Sequence, residues 1–424
     1  MAGFWGKLLW GLRDGAGPGR GRLVLLAGVL LALELFGAAF LVAGTHGLIV
    51  PLDKPTTTDF VSFYAAGTLA DAGRPVLAYD EAAHYAAEQR ATQPGIDYVH
   101  FFYPPVYLLI CGLLARLPYL GGFALFGLAT LLPYLFVMRR VLDERGWAIM
   151  LPILAFPPVL WTFGFGQNSL LTAALFGAAT LFVDRRPVVA GLLFGALCYK
   201  PHFGLLVPVA LAAQKNWRAF GAAAFSAAAL TLLSIAIFGI EAWRGFLLAL
   251  LGSHSTYEGG AVDHAAFVNP FGAVLVVGGG KWLAYAVQVA AFLACAGLVA
   301  FVWRRGASLP LRAAVLAAAT IVAIPVVLFY DLVLGAVAAA WLVRAGRESG
   351  FLPWEKLLLS ALFMTPLVAR SVANSWHVPL GPLAALALFG LAAAAAGREI
   401  AGFPSGQAAR RSPPEFQVTS EETA

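Results

Sequence analysis

Apolar residues arrive along this chain in long runs, separated by short clusters of arginine and lysine. The first run, Leu23 to Gly44, is about 22 residues long, enough at 1.5 Å per residue to cross the roughly 30 Å hydrocarbon core of a bilayer. It exceeds the apolar core of a cleavable signal peptide, so it reads as a retained span. Residues 1–22, with Trp5, Lys7, Trp10, Arg13, Arg20 and Arg22, read as an interfacial segment on the cytoplasmic face. A long first outer loop follows, residues 45–119. Within it, Tyr103 to Pro118 is apolar over only about 10–13 residues, about 20 Å of helix, and is read as a half-helix opened by Pro104-Pro105.

Further spans are predicted near residues 120–138, 147–163, 168–183, 187–199, 203–213, 218–239, 281–303, 311–329, 331–343, 355–370 and 378–397, with a short apolar stretch at 265–279 on the outer surface. The pattern predicts an all-α polytopic membrane protein of about 11–12 transmembrane helices. Two joints, 187–213 and 311–343, fit either two short helices or one long broken helix, and broken helices are tolerated where they line a cavity. Residues 23–397 form one transmembrane domain, and residues 398–424, polar and rich in Pro and Ser, a disordered cytoplasmic tail. No internal repeat is visible, which removes the usual pointer to an inverted-repeat transporter.

Composition agrees. Of 424 residues 60% are apolar and 12% charged, with mean hydropathy +0.80, against about 45–50% and about 25% in a soluble domain. One soluble core cannot hide that much apolar surface. The formal charge of +6 belongs to cytoplasmic loops and not to a nucleic-acid surface, because no basic patch is interleaved with stacking aromatics. The threading places Arg139/Arg140/Arg145, Arg185/Arg186, Lys215/Arg218, Arg304/Arg305/Arg312 and Arg344/Arg347/Lys356 inside, and all seven histidines outside. Cys111, Cys198 and Cys295 sit singly in apolar runs, without disulfide or zinc spacing. There is no D-x-D near Asp59 and no P-loop, G-x-S-x-G or H-E-x-x-H, which argues against a soluble nucleotide-sugar enzyme. No cofactor or metal is expected, although His254 and His264 share one loop.

Candidate chemistry lies where polar residues interrupt apolar sequence. Asp59, in TTTDFVSFYAAG, follows the first span and precedes Phe60, Phe63 and Tyr64; a carboxylate partly desolvated there can serve as a base, or can simply cap a helix. Gln167 and Asn168 sit at the mouth of a span, where an amide pair suits sugar hydroxyls and Asn168 also suits a helix cap. Lys200 interrupts GALCYKPHFGLL; its ammonium suits a phosphate with His202 assisting, or snorkels to the interface. Tyr330-Asp331 interrupts VVLFYDLVLG, and Asp331 must pair, with Lys200 or Arg370 as candidate cations, or face water. Arg370 is followed by Asn374, Trp376 and His377.

The segments DFVSFYAAGTLADAGRPVLAYD (59–80), FFYPPVYLLI (101–110), GFGQNSLLTAALFGAATLF (164–182), RRPVVAGLLFGALCYKPHFGLLVPVALAAQKNWRA (185–219) and PVVLFYDLVLGAVAAAWL (325–342) form an ordered set over about residues 20–345. That set resembles the polyprenol-phosphate-dependent glycosyltransferases of family 87, whose membrane architecture is of the GT-C type. The chain has Lys200-Pro201-His202 where relatives commonly have KPQ. The resemblance implies a polyprenyl-phosphate-linked hexose donor, often mannose, and a lipid or glycan acceptor, with membrane lipids as surroundings and no nucleic acid. It implies Asp59 as general base; Lys200, Arg370 and His202 would hold the donor phosphate, with Tyr64, Tyr103, Gln167, Asn168, Tyr330, Asp331 and His377 around sugar and acceptor. A single carboxylate without a nucleophile partner favours inversion. The expected setting is a bacterial inner membrane, with the site facing the periplasm. A transporter or flippase for a lipid-linked sugar is the rival from another class, since ionisable groups in broken helices also mark transport paths; a glycan polymerase or ligase is the chemically nearer one.

Overall fold

The structure, a computed structural model, describes Arg13 and residues 20–43, 49–50, 54–55, 58–260 and 262–402. Trp5, Lys7, Trp10, His46 and the tail from Phe403 onward lie outside the described residues. Helix α1 (Arg20–Ala43) leads to a two-residue antiparallel pairing of Ile49–Val50 with Lys54–Pro55. The first loop then folds as α2 (Thr58–Asp71), α3 (Glu81–Ala91) and α4 (Pro105–Leu114). Asp80 caps α3 by accepting from Ala83 N at 2.8 Å, and Pro105 opens α4 at a first-turn position that needs no N–H donor. The half-helix expected from Tyr103–Pro118 is therefore present, as ten residues.

Next come α5 (Tyr119–Val141), α6 (Met150–Leu154), α7 (Pro157–Phe165), α8 (Ser169–Phe182), α9 (Pro187–Gly195) and α10 (Val207–Ala213). They are followed by α11 (Trp217–Phe238), α12 (Ile240–Glu258), α13 (Pro270–Val276), α14 (Lys281–Arg304), α15 (Leu309–Ala323) and α16 (Leu332–Ser349). The last are α17 (Glu355–Met364), α18 (Pro366–Trp376) and α19 (Leu380–Ile400). The all-α polytopic class is as the sequence predicts. Among the described residues six helices are long and apolar enough to cross a membrane, or up to eight if each bent pair counts as one span. The pairs are Trp147–Leu154 with α7, bent by 71°, and α17 with α18, bent by 70°; a proline opens the second helix of each pair, where it cannot continue the hydrogen-bond ladder.

That count is below the 11–12 expected because several apolar runs fold as helices of 10–17 residues, about 15–26 Å long. The runs 187–213 and 311–343 are both broken. The first contains two turns of 3-10 helix, Ala196–Tyr199 and Pro201–Gly204, with Lys200 between them. The second has an extended stretch between α15 and α16, in which Val327 O accepts from Val268 N at 3.0 Å. Helix α15 forms the centre of the core: every residue from Pro310 to Ala323 is buried, so it is enclosed on all sides, like a helix packed within a bundle, with the one charged residue of that stretch, Arg312, bound to Asp184 at 2.6 Å. Around it stand Trp303, Phe176 and Trp341, each at most 1% exposed. By contrast α1 leaves Leu25 67% and Phe36 72% uncovered, as a lipid-facing helix does.

The break after α15 strands carbonyls that water would satisfy in a soluble protein. Two amides satisfy them instead. Asn269 Nδ2 donates to Ile324 O (2.8 Å) and Pro325 O (2.7 Å), and Gln288 Nε2 donates to Val322 O (3.0 Å) and Ala323 O (2.8 Å). The same side chains anchor α13, since Asn269 Oδ1 accepts from Gly272 N and Gln288 Oε1 from Phe271 N, both at 3.0 Å.

Candidate active site

The site forms where these breaks meet the first loop. Asp59 lies in the first turn of α2, inside the helix and not at its cap, where a carboxylate is favoured by the helix dipole. Helix α7 ends at Gly166, whose φ of +64° suits glycine. A Cβ at that position would stand 2.5 Å from Phe60 Cβ. Glycine thus lets the turn that carries Gln167 press against the turn that carries Asp59.

Asp59, Gln167, Lys200, His202, Tyr330 and Asp331 line one cavity of about 310 Å³, with Tyr103 beside them. Gln167 Oε1 accepts from the Tyr103 hydroxyl (3.3 Å) and from Asn168 N (2.9 Å), while its Nε2 donates to the Tyr330 hydroxyl at 3.1 Å. Tyr103 is held in turn through its carbonyl, which accepts from the Tyr79 hydroxyl at 2.9 Å. Lys200 pairs with Asp331 at 2.7 Å, and its ammonium also lies 4.6 Å from the Phe203 ring. Asp331 Oδ1 further accepts from Ser169 Oγ at 2.5 Å and Oδ2 from Leu328 N at 3.2 Å. Pro201 disfavours helical backbone at Lys200, which leaves helix geometry there at φ −135°. His202 Nε2 is buried without a hydrogen-bond partner among the described residues.

Burial also sets the electrostatics of Asp59. Burial pushes its carboxyl up, a hydrogen bond from Gln167 and the charge of Lys200 draw it down, the charge of Asp331 pushes it up, and it settles at about 7. A carboxylate of that kind is half ionised near neutrality, where a general base works best.

Other expected site residues lie elsewhere. Tyr64 is five residues beyond Asp59, about 140° round the helix, and its hydroxyl donates to Leu117 O at 2.8 Å. Asn168 is buried at the N-cap position of α8. Arg370 is bound to Asp263 at 2.8 Å, with Asn374 on the same carboxylate oxygen at 3.3 Å. His377 is exposed and ends α18 in the left-handed region at φ +55°. None of these four lines the cavity.

The structure adds residues that the sequence pattern does not single out. Ser169 joins the Asp331 cluster. Ser62, one turn on from Asp59, lines the cavity together with Tyr98, His100, Phe102 and Tyr257. Behind them His84 and Glu88 are fully buried: His84 Nε2 meets Ser62 O at 3.0 Å, and Glu88 Oε2 accepts from Val99 N at 3.2 Å. The usable signal for the aromatic group is the alternation of Tyr98, His100 and Phe102 in a loop segment, whose rings, two residues apart, lie side by side.

Residues 101–330, more than half of the chain, match the family described as Glycosyltransferase family 87. The chain belongs to that family. It is a membrane glycosyltransferase, with several apolar helices long enough to span a bilayer. No curated protein and no solved structure is significantly similar to it. The matched region contains Tyr103, Gln167, Lys200, His202 and Tyr330, whereas Asp59 precedes it and Asp331 follows it by one residue; the fold brings both into the same cavity.

Proposed function

We propose that this glycosyltransferase moves a hexose, mannose by family resemblance, from a polyprenyl-phosphate-hexose to a lipid or glycan acceptor on the non-cytoplasmic face of a bacterial inner membrane, with inversion at the anomeric carbon. The reading rests on one observation: Asp59, poised at about 7, shares a cavity with the buried cation Lys200 and with His202. The acceptor hydroxyl gives its proton to Asp59 as its oxygen bonds to the anomeric carbon. The bond from that carbon to the phosphate oxygen breaks, and polyprenyl phosphate leaves with the electron pair. Lys200 keeps ammonium hydrogens beyond the one given to Asp331 and can donate to the phosphate oxygen on which charge develops; His202 Nε2 is the second candidate contact. Gln167, Tyr103 and Tyr330 surround the sugar. Arg370, held by Asp263, is assigned no part in the transfer. The basic clusters at the other ends of the spans support the orientation.

The test is single-turnover transfer from radiolabelled polyprenyl-phosphate-hexoses by purified wild type and Asp59→Asn. The amide keeps the shape but takes no proton, so the expected loss is about 10²–10⁴ in rate with donor binding retained. Normal turnover by Asp59→Asn would remove Asp59 from the chemistry. A wild type that consumes no polyprenyl-phosphate-hexose would remove the donor assignment.

A further inference from the structure

One side of the cavity is aromatic and carries no part of the transfer described above. The Tyr98 and His100 rings lie 4.6 Å apart, His100 and Phe102 are stacked at 5.1 Å and 20°, and Phe102 meets Tyr257 at 5.9 Å. The four rings form a continuous row built from a segment of the first loop and the end of α12. All four are only partly buried, although Phe101 between them is 2% exposed. Aromatic surface left uncovered inside a cavity, when the chain buries its neighbours, marks a surface kept for a ligand.

Its chemistry narrows the ligand. Burial pulls the His100 imidazole below its usual range, so at neutral pH the row carries no cation with which to hold a phosphate. The row offers flat π faces edged by phenol hydroxyls and an imidazole. That combination suits a pyranose ring, which presents C–H bonds to an aromatic face and hydroxyls at its rim. Its place relative to the base is fixed. Ser62 Oγ donates to His100 O at 3.3 Å, and Ser62 stands one turn from Asp59 on α2.

We propose that Tyr98, His100, Phe102 and Tyr257 form the acceptor subsite, and that the acceptor is a saccharide which lays a pyranose ring on this row. The assignment rests on the glycosyltransfer reading above and makes the acceptor a glycan or the sugar headgroup of a glycolipid. A lipid alcohol without a sugar does not fit it.

Two measurements separate this proposal from the reading beneath it. In the first, purified protein receives a radiolabelled polyprenyl-phosphate-hexose with either methyl hexopyranosides or dodecanol as acceptor. Label is expected on a methyl hexopyranoside and not on dodecanol. Phe102→Leu and Tyr257→Leu should each raise the acceptor KM roughly tenfold, about 1.4 kcal/mol, and leave the donor KM within about twofold. Phe102→Trp, which keeps a ring face, should restore acceptor use and thereby exclude a folding defect. Transfer to dodecanol in preference to every pyranoside, or an acceptor KM unmoved in both leucine variants, overturns the proposal while leaving the glycosyltransferase reading intact. The second measurement needs no donor: saturation-transfer NMR of the methyl hexopyranosides on wild type and on the Phe102→Leu/Tyr257→Leu double variant. A pyranoside signal seen with wild type and abolished in the double variant supports the subsite even if the donor assignment fails. Equal signals from both proteins, or none from wild type, rule the subsite out.

Discussion

Lys200 Nζ and Asp331 Oδ1 meet at 2.7 Å with side chains 6% and 3% exposed, across 131 residues of chain. Each sits at a break in an apolar run, and the two breaks meet at this contact. A buried ion pair is seldom a net source of stability against apolar replacements, because desolvation offsets attraction. Its use is positional: it fixes an ammonium in a cavity wall. Asp331, with three donors around it, serves as the anchor.

The first prediction follows from that asymmetry. Lys200→Ala leaves a buried carboxylate without its cation and should destabilise the protein by about 3–5 kcal/mol. Adding Asp331→Asn removes the stranded charge and should recover most of the thermal stability without recovering transfer. Melting temperature and turnover of the single and double variants in the same detergent are the readouts. Full turnover in the double variant would exclude Lys200 from the phosphate.

Gly166 gives a second prediction. Alanine there must adopt φ near +64°, costing about 1–2 kcal/mol, and its Cβ would press on Phe60. Relief comes by moving either the Gln167 turn or the start of α2, so Gly166→Ala should lower turnover by about 10–100-fold beyond its effect on stability. An active, merely less stable Gly166→Ala protein would show that this close approach does not position the site.

Much of this site was legible because apolar sequence makes polar interruptions conspicuous. Asp59, Gln167, Lys200, Tyr330 and Asp331 each stand out on that ground, and the structure brings them to one cavity. Arg370 stood out equally, but a cation can be satisfied locally, and Asp263 satisfies it. Among the described residues, fewer helices than the 11–12 expected are long enough to span a bilayer by themselves, for a related reason. Hydropathy measures how apolar a run is, whereas the length of each helix depends on where it breaks, and the break after α15 is held by distant amides. Gln288 lies inside the run KWLAYAVQVAAFL, where its polarity was a usable signal; Asn269 resembles any helix cap. Their predicted effect is plain: Gln288→Leu leaves Val322 O and Ala323 O without these donors and should destabilise by about 1–3 kcal/mol per stranded group, measurable as a fall in melting temperature.

His84 and Glu88 predict how stability changes with pH. Ser62 O can only accept, so His84 Nε2 carries the hydrogen and Nδ1 faces Glu88 Oε1 at 3.6 Å. Burial raises Glu88 to about 8 and lowers His84 to about 4, which keeps both neutral at pH 7. The Glu88 contribution is fully present below its ordinary 4.5 and is lost as pH rises through about 8. The His84 contribution is present above its ordinary 6.5 and is lost as pH falls through about 4. Thermal shift against pH should therefore flatten on the alkaline side in Glu88→Gln and on the acid side in His84→Gln. Unchanged limbs in both variants would mean the pair does not titrate with folding.

The pH dependence of transfer tests Asp59 most directly. A base must be ionised to accept a proton, so kcat/KM should rise about tenfold per pH unit below the Asp59 value and level off above about 7. Asp59→Asn should leave a low, flat remainder. The neighbours supply signed controls. Lys200 draws the Asp59 value down and Asp331 pushes it up, so Lys200→Met should move the midpoint to higher pH. Asp331→Asn removes a like charge and frees the ammonium from its carboxylate, and both changes move the midpoint to lower pH. A structural role for Asp59 predicts neither displacement, since a cap or a packing contact does not titrate with rate. A midpoint that stays in place in both neighbour variants, while turnover merely falls, would assign the titration to some group other than Asp59.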